Sequence, residues 1–246
     1  MKTEWDYSDR ARTYDKRADY SESLIKNLLA QIELSKDKPV ADVGAGTGKL
    51  TKVLLNNGLR VIAIEPNLNM RKYGIKNTER KKVSWIEGTG EQTGLDTSSV
   101  SATFFGSSFN VVDQAKTLEE VARIIIPKGW FVCMWNHRDL SDSTQVKIEE
   151  VIKTFIPNYN YGLRRKDPTE VIKNSGLFSS VENIEDRFTV SMLKTDIVDA
   201  WKSHDTLFRQ SNGKFDQIIN SISEILSEDL YEVPYFTRCW FSRYSN

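Results

Sequence analysis

The stretch "VADVGAGTGKL", residues 40–50, decides the fold. An apolar run leads into three glycines, Gly44, Gly46 and Gly48, and these lead straight into a helical pattern. "PVADVG" (39–44) reads as a buried strand. "GKLTKVLLNNG" (48–58) reads as a helix with Leu50, Val53 and Leu54 on one face and Gly58 as its stop. Glycines at such a strand-to-helix junction permit a tight turn and let backbone N–H groups approach a ligand. In an open parallel sheet, ligands bind outside the carboxyl ends of the strands, where this junction falls.

Spacing narrows the ligand. The dinucleotide fingerprint G-x-G-x-x-G needs a glycine at position 49, which is Lys49. The phosphate loop also fails, because no glycine precedes "GK" at the required distance. An acid, Glu65, closes the next apolar run "RVIAIEP" (60–66), 21 residues after Gly44. A carboxylate there can accept two hydrogen bonds from a ribose diol.

Beyond the loop the pattern repeats. Strands are predicted at 83–88, 99–108 and 129–136, with a helix over 114–126 ended by Pro127. Alternation of this kind implies right-handed crossovers and a mainly parallel sheet covered on both faces. The second half predicts helices over 142–156, 167–176 (Asp167 as cap, Pro168 in its first turn), 195–204 and 215–228. Its strand-like segments, 180–192 and 231–244, form an antiparallel pair around a helical insert.

The 246 residues fit one large domain. Lys+Arg equals Asp+Glu at 34 each, and this balance argues against a general nucleic-acid binder. Cys133 and Cys239 sit among apolar residues and read as buried free thiols, with no metal cluster. The polar N-terminus is no secretory signal, and no apolar run reaches the ~20 residues of a membrane helix. The expectation is a cytoplasmic protein, monomeric or homodimeric.

Four segments carry a family resemblance: "DVGAGTGKLTKVLLNNG", "VIAIEPNLNM", "WIEGTGEQTGL" and "ARIIIPKGWFVCMWNHRD". In this order and spacing the chain resembles the class I S-adenosylmethionine-dependent methyltransferases over roughly residues 5–140, and weakly over 178–244. The small-molecule, trans-aconitate methyltransferase-like subgroup is most similar, with "ARTYDKRADYS" matching its N-terminal helix pattern. The resemblance implies an α/β, Rossmann-like, seven-stranded sheet whose last strand is antiparallel. It implies one domain over 1–246, with an N-terminal cap (1–30), a cofactor-binding core (31–140) and a helical insert or lid (193–230). S-adenosylmethionine would be the cofactor and a small molecule the methyl acceptor, at O, N or S, in secondary metabolism.

Site roles follow by position. Gly44, Ala45 and Gly46 would pass beside the methionine part and ribose. Glu65 would hold the ribose hydroxyls and Pro66 pack near adenine. Thr89, Gly90 and Glu91 would meet the adenine edge, and Ser107 and Ser108 the sulfonium. Tyr14, Arg17 and Tyr20 would cover the cofactor, with Arg17 on its carboxylate. Asp42 reads as a loop-organising carboxylate accepting backbone N–H bonds.

His137, just past the fifth strand, is the candidate base, against the alternative of a loop residue fixing local structure. His204 in the insert reads as a solvated helix end, against the alternative that it faces substrate if the insert is a lid. Asn110 replaces the histidine frequent at that place in the subgroup; an amide positions a substrate but takes no proton. Trp135, Tyr159, Tyr161, Trp201, Phe208 and Tyr235 are candidate pocket walls, and Arg164, Arg165 and Lys166 a candidate anion site. Rival readings are an RNA or protein methyltransferase, a non-catalytic S-adenosylmethionine-binding protein, and a nicotinamide oxidoreductase, which Lys49 disfavours.

Overall fold

The computed structural model describes residues 11–79, 82–162 and 166–246. Seven strands form one sheet in the order β3-β2-β1-β4-β5-β7-β6. β1 (Val40–Val43), β2 (Val61–Ile64), β3 (Val83–Ile86), β4 (Val100–Gly106) and β5 (Ile125–Arg138) run parallel. β7 (Leu230–Arg243) lies antiparallel to β5, and β6 (Glu182–Leu193) antiparallel to β7. The chain order reverses at β1, so the ends of β1 and β4 flank the crevice where such sheets bind ligands.

Alternation along the central strands builds a core on each face. Phe104 and Val132 point into a cluster with Leu24, Leu28, Leu50 and Leu54, from α2 (Glu22–Gln31) and α3 (Lys49–Asn56). Phe105 and Phe131 point the other way, into a cluster with Leu118, Val121 and Ile172, from α5 (Gln114–Ile124) and α7 (Thr169–Asn174). β1 is buried at all four positions, as a central strand covered on both sides must be. Cys133 and Cys239 are free thiols in this interior.

Short polar side chains start the helices. Ser21 accepts the Leu24 N–H at α2, and Asp113 accepts the Lys116 N–H at α5. Asp142 accepts the Thr144 and Gln145 N–H groups at α6 (Ser143–Phe155). At α4 (Leu68–Asn77), Asn67 accepts the Asn69 and Met70 N–H groups. This helix has no counterpart in the sequence reading, because it buries only Met70 and Gly74 and so shows almost no apolar stripe. Gly74 is required: a Cβ there would lie 2.1 Å from the Trp85 ring.

Two boundaries correct the sequence reading. The 114–126 helix does not run to Pro127; it ends at Ile124, and Ile125 already pairs with Val100 in β5. β5 also continues past residue 136, so His137 is a strand residue paired with Phe236 rather than a loop residue.

The insert between β6 and β7 holds α8 (Lys194–Lys202), α9 (Asp205–Gln210) and α10 (Phe215–Ile225). Its apolar faces meet α6 in a third cluster containing Ile148, Ile152, Trp201, Leu207, Ile218 and Ile222. The N-terminal α1 (Ala11–Tyr14) lies near α8, where Lys16 pairs with Asp196 at 2.9 Å. No helix among the described residues is long and apolar enough to cross a membrane.

Candidate functional site

The glycine loop joins β1 to α3. Gly44 and Ala45 donate their N–H groups to the Ile64 carbonyl at 2.8 and 2.9 Å, which ties the loop to β2. Gly44 has φ +72°, and a Cβ there would lie 2.5 Å from the Ser108 Cβ. That position therefore needs glycine twice over, for its left-handed backbone and for its contact with the chain after β4.

Glu65 is buried at the end of β2. Its Oε2 accepts the Gly46 N–H at 2.8 Å and its Oε1 the Asn67 N–H at 2.8 Å. Burial pushes its pKa up, and these two bonds with the Arg71 charge pull it back. A carboxylate has about four acceptor sites, so two remain for a diol. Glu65, Pro66, Met70, Thr89, Gly90 and Glu91 line a cavity of about 600 Å³, closed on its inner side by Gly44, Ser107, Ser108 and Asn110.

Several predicted residues are gathered here with partners the sequence did not suggest. Glu91 Oε1 accepts the Asp113 N–H at 2.8 Å, tying the loop after β3 to the start of α5, and the Thr89 hydroxyl accepts the Gln92 N–H at 3.2 Å within its own loop. Ser108 Oγ donates to the Val43 carbonyl at 2.5 Å. Ser107 takes φ +61°, with its hydroxyl 2.9 Å from the Tyr20 hydroxyl. Arg17 donates to Ser203 Oγ at 2.8 Å and Ser203 O at 2.7 Å, so its guanidinium docks on the insert, while Tyr14 packs under it at 4.2 Å. Asp42 is buried and accepts the Thr51 hydroxyl at 2.5 Å, and the Thr51 backbone N–H also favours its charged form. Burial raises its carboxyl to about 7.

A second, smaller chamber of about 120 Å³ adjoins the first and shares Tyr14, Gly44, Gly46, Gly106, Ser107 and Asn110 with it. Arg17, Tyr20, Asp42, Ala45, Lys49, His137, Arg138, Tyr161, His204 and Tyr235 also line it. His204 thus faces the chamber, 5.0 Å from the Trp201 ring between centroids, and is not the solvated helix end expected of it. Both histidines of the chain reach this one space, from β5 and from the insert.

Among the described residues, Asp42 Oδ1, both amide atoms of Asn110 and Trp135 Nε1 are buried lining atoms with no hydrogen-bond partner. Each such group costs about 1–3 kcal/mol unless something pairs with it, and their gathering here fits a bound polar ligand.

Of the candidate aromatic walls, Trp135, Tyr161 and Tyr235 line the chamber. Tyr159 and Trp201 belong to the insert's core, and Phe208 is exposed against Phe215. Arg164 and Arg165 lie outside the described residues; Lys166 is described but does not line the chamber. Sequence reasoning missed Lys49 as a site residue. Its Nζ pairs with Asp19 at 2.9 Å, which pins the N-terminal segment to the glycine loop. It also missed Asn136, whose Nδ2 donates to the Asp19 carbonyl at 2.8 Å.

Comparison with known proteins agrees with this geometry. Residues 41–133 match the family described as "Methyltransferase domain". An uncharacterised methyltransferase of Mycobacterium tuberculosis is 38% identical over 100 residues, covering 41% of this chain and 40% of that protein. The chain thus spans about two fifths of the length of such a curated relative. The solved structure of the YcgJ protein of Bacillus subtilis superposes with a TM-score of 0.56 at 12% identity, over 92% of this chain and 100% of that one. Phosphoethanolamine N-methyltransferase 2 of Haemonchus contortus, solved with S-adenosyl-L-methionine, gives 0.51 at 13%, over 92% of this chain and 52% of that one. At these identities the likeness is one of fold.

Proposed function

We propose that this chain, whose residues 41–133 match a methyltransferase-domain family, transfers a methyl group from S-adenosylmethionine to a small organic acceptor. The observation that carries the reading is the pair of cavities meeting at Gly44, Ser107 and Asn110, one lined by Glu65 and the other enclosed by the cap, the end of β5 and the insert.

In this reading Glu65 takes the ribose hydroxyls on its remaining acceptor sites. Pro66, Thr89, Gly90 and Glu91 bound the adenine. Gly44, Ala45 and Gly46 border the methionine part, and Ser107 and Ser108 form the wall where the cavities join. Tyr14, Arg17 and Tyr20 cover the site, with Arg17 acting through Ser203. When bound, the cofactor supplies a methyl group already activated on a sulfonium. The chain's own task is alignment, which is worth about 7–11 kcal/mol when the geometry is right. Asn110, its amide buried and unpaired where the cavities meet, orients the acceptor. His137, which also lines the chamber, takes the proton of a hydroxyl or amine acceptor. Enclosure by the cap and insert suits a small acceptor better than RNA or protein.

A labelled-methyl transfer screen against phenols, amines, thiols and carboxylic acids tests this reading. Transfer to at least one class supports it. Binding of S-adenosylhomocysteine with no transfer to any class would favour a silent binding protein.

A further inference from the structure

This inference rests on the chamber being the acceptor's place. Arg138 is the last residue of β5, opposite Tyr235 of β7, and it lines the chamber beside His137. Its guanidinium lies 4.3 Å from the centroid of the Trp201 ring. Trp201 is 2% exposed, wedged in the insert's core, so the ring is a fixed platform that limits where the guanidinium can lie.

The charge balance around it is one-sided. Lys49, which also lines the chamber, is paired with Asp19, and Arg17 donates to Ser203. Among the described residues no carboxylate forms an ion pair with Arg138, and its one close aromatic partner is Trp201. Among the described residues the acid lining the chamber is Asp42, which sits beneath the glycine loop with its Oδ2 taken by Thr51. A guanidinium with five N–H donors in a rigid fork, held on an aromatic face and with no ion-paired carboxylate among the described residues, is suited to a planar or tetrahedral oxyanion.

We infer that the acceptor carries an anionic group, a carboxylate or a phosphate, and that Arg138 on its Trp201 platform binds it while the nucleophilic atom faces Ser107 and Asn110. Arg138 then sets specificity: neutral molecules of the same shape leave the guanidinium unanswered.

The test uses protein saturated with S-adenosylhomocysteine and titrated calorimetrically with benzoate, with inorganic phosphate and with neutral benzamide. Saturation itself reports on the cofactor reading, so failure at that step is distinct from failure of this inference. We expect at least one anion to bind and benzamide not to. Whether benzoate or phosphate binds tells a carboxylate acceptor from a phosphate one. Arg138→Met should weaken anion binding by roughly tenfold or more, with Arg138→Lys intermediate because it keeps the charge and loses the fork. Cofactor-product affinity should stay the same in both variants, with thermal melts confirming that they fold. Equal anion binding by wild type and Arg138→Met, or no anion binding at all, would overturn the inference. A loss of S-adenosylhomocysteine affinity in Arg138→Met would also overturn it, by assigning the guanidinium to the cofactor's own carboxylate.

Discussion

The two cavities are built from different materials. The larger is organised by backbone: left-handed glycines, N–H groups aimed at the Ile64 carbonyl and the Glu65 carboxylate, and one residue at each strand end. The smaller is made of side chains from segments far apart in sequence, among them Tyr14, His137, Tyr161, His204 and Tyr235. Backbone geometry demands particular residues at particular spacings, so the first region leaves a motif. Side-chain walls can be assembled in many ways, so the second leaves none. On this account the first region fixes the methyl donor and the second chooses the acceptor.

Substitutions should respect that division, and each one offers a way to break it. The largest effect belongs to the chamber: His137→Ala should lower kcat by ~10²–10⁴-fold with a hydroxyl or amine acceptor while leaving S-adenosylhomocysteine affinity unchanged. Undiminished turnover would remove His137 as the base. Next is Gly44→Ala. Its methyl group would collide with Ser108 on a left-handed backbone, at a cost of about 2–5 kcal/mol from overpacking and strain together. Denaturant melts should show the loss, and cofactor affinity should fall with it. Glu65→Gln keeps the shape and removes the charge; calorimetry should show cofactor-product binding weakened by roughly tenfold to a hundredfold, with no change in acceptor preference. If acceptor preference moved and affinity did not, the two regions would have exchanged roles.

A separate effect, on stability alone, is in pH. Burial raises the Asp42 carboxyl from 3.8 to about 7, so the folded chain holds this proton more tightly than the unfolded one. The corresponding stability is full below about pH 4 and is lost as pH rises toward 7. Asp42→Asn should flatten that part of the stability curve; an unchanged slope would mean that Asp42 is ionised throughout.

Legibility in the sequence followed the same division. β1, the glycine loop, α3, β2 and Glu65 could be placed from spacing because each has a backbone reason to be where it is. The parallel order and the antiparallel closing pair followed from alternation. α4 was not legible, because its single buried row rests on Gly74 against Trp85 and shows no amphipathic stripe. The end of α5 was misplaced because Ile124, Ile125 and Ile126 suit helix and strand alike, and only pairing with Val100 decides between them. His204 read as a surface residue because nothing in its neighbourhood reveals that the insert folds back over β5. Arg17 was assigned to a ligand carboxylate, and its bonds to Ser203, 186 residues away, could not be read from any local pattern.

The central claim is that the Glu65 cavity is a site for S-adenosylmethionine. Calorimetric titration of the wild-type protein with S-adenosylhomocysteine and, separately, with NADH tests it most directly. The account predicts saturable one-to-one binding of the first and none of the second. Binding of NADH without S-adenosylhomocysteine would contradict it.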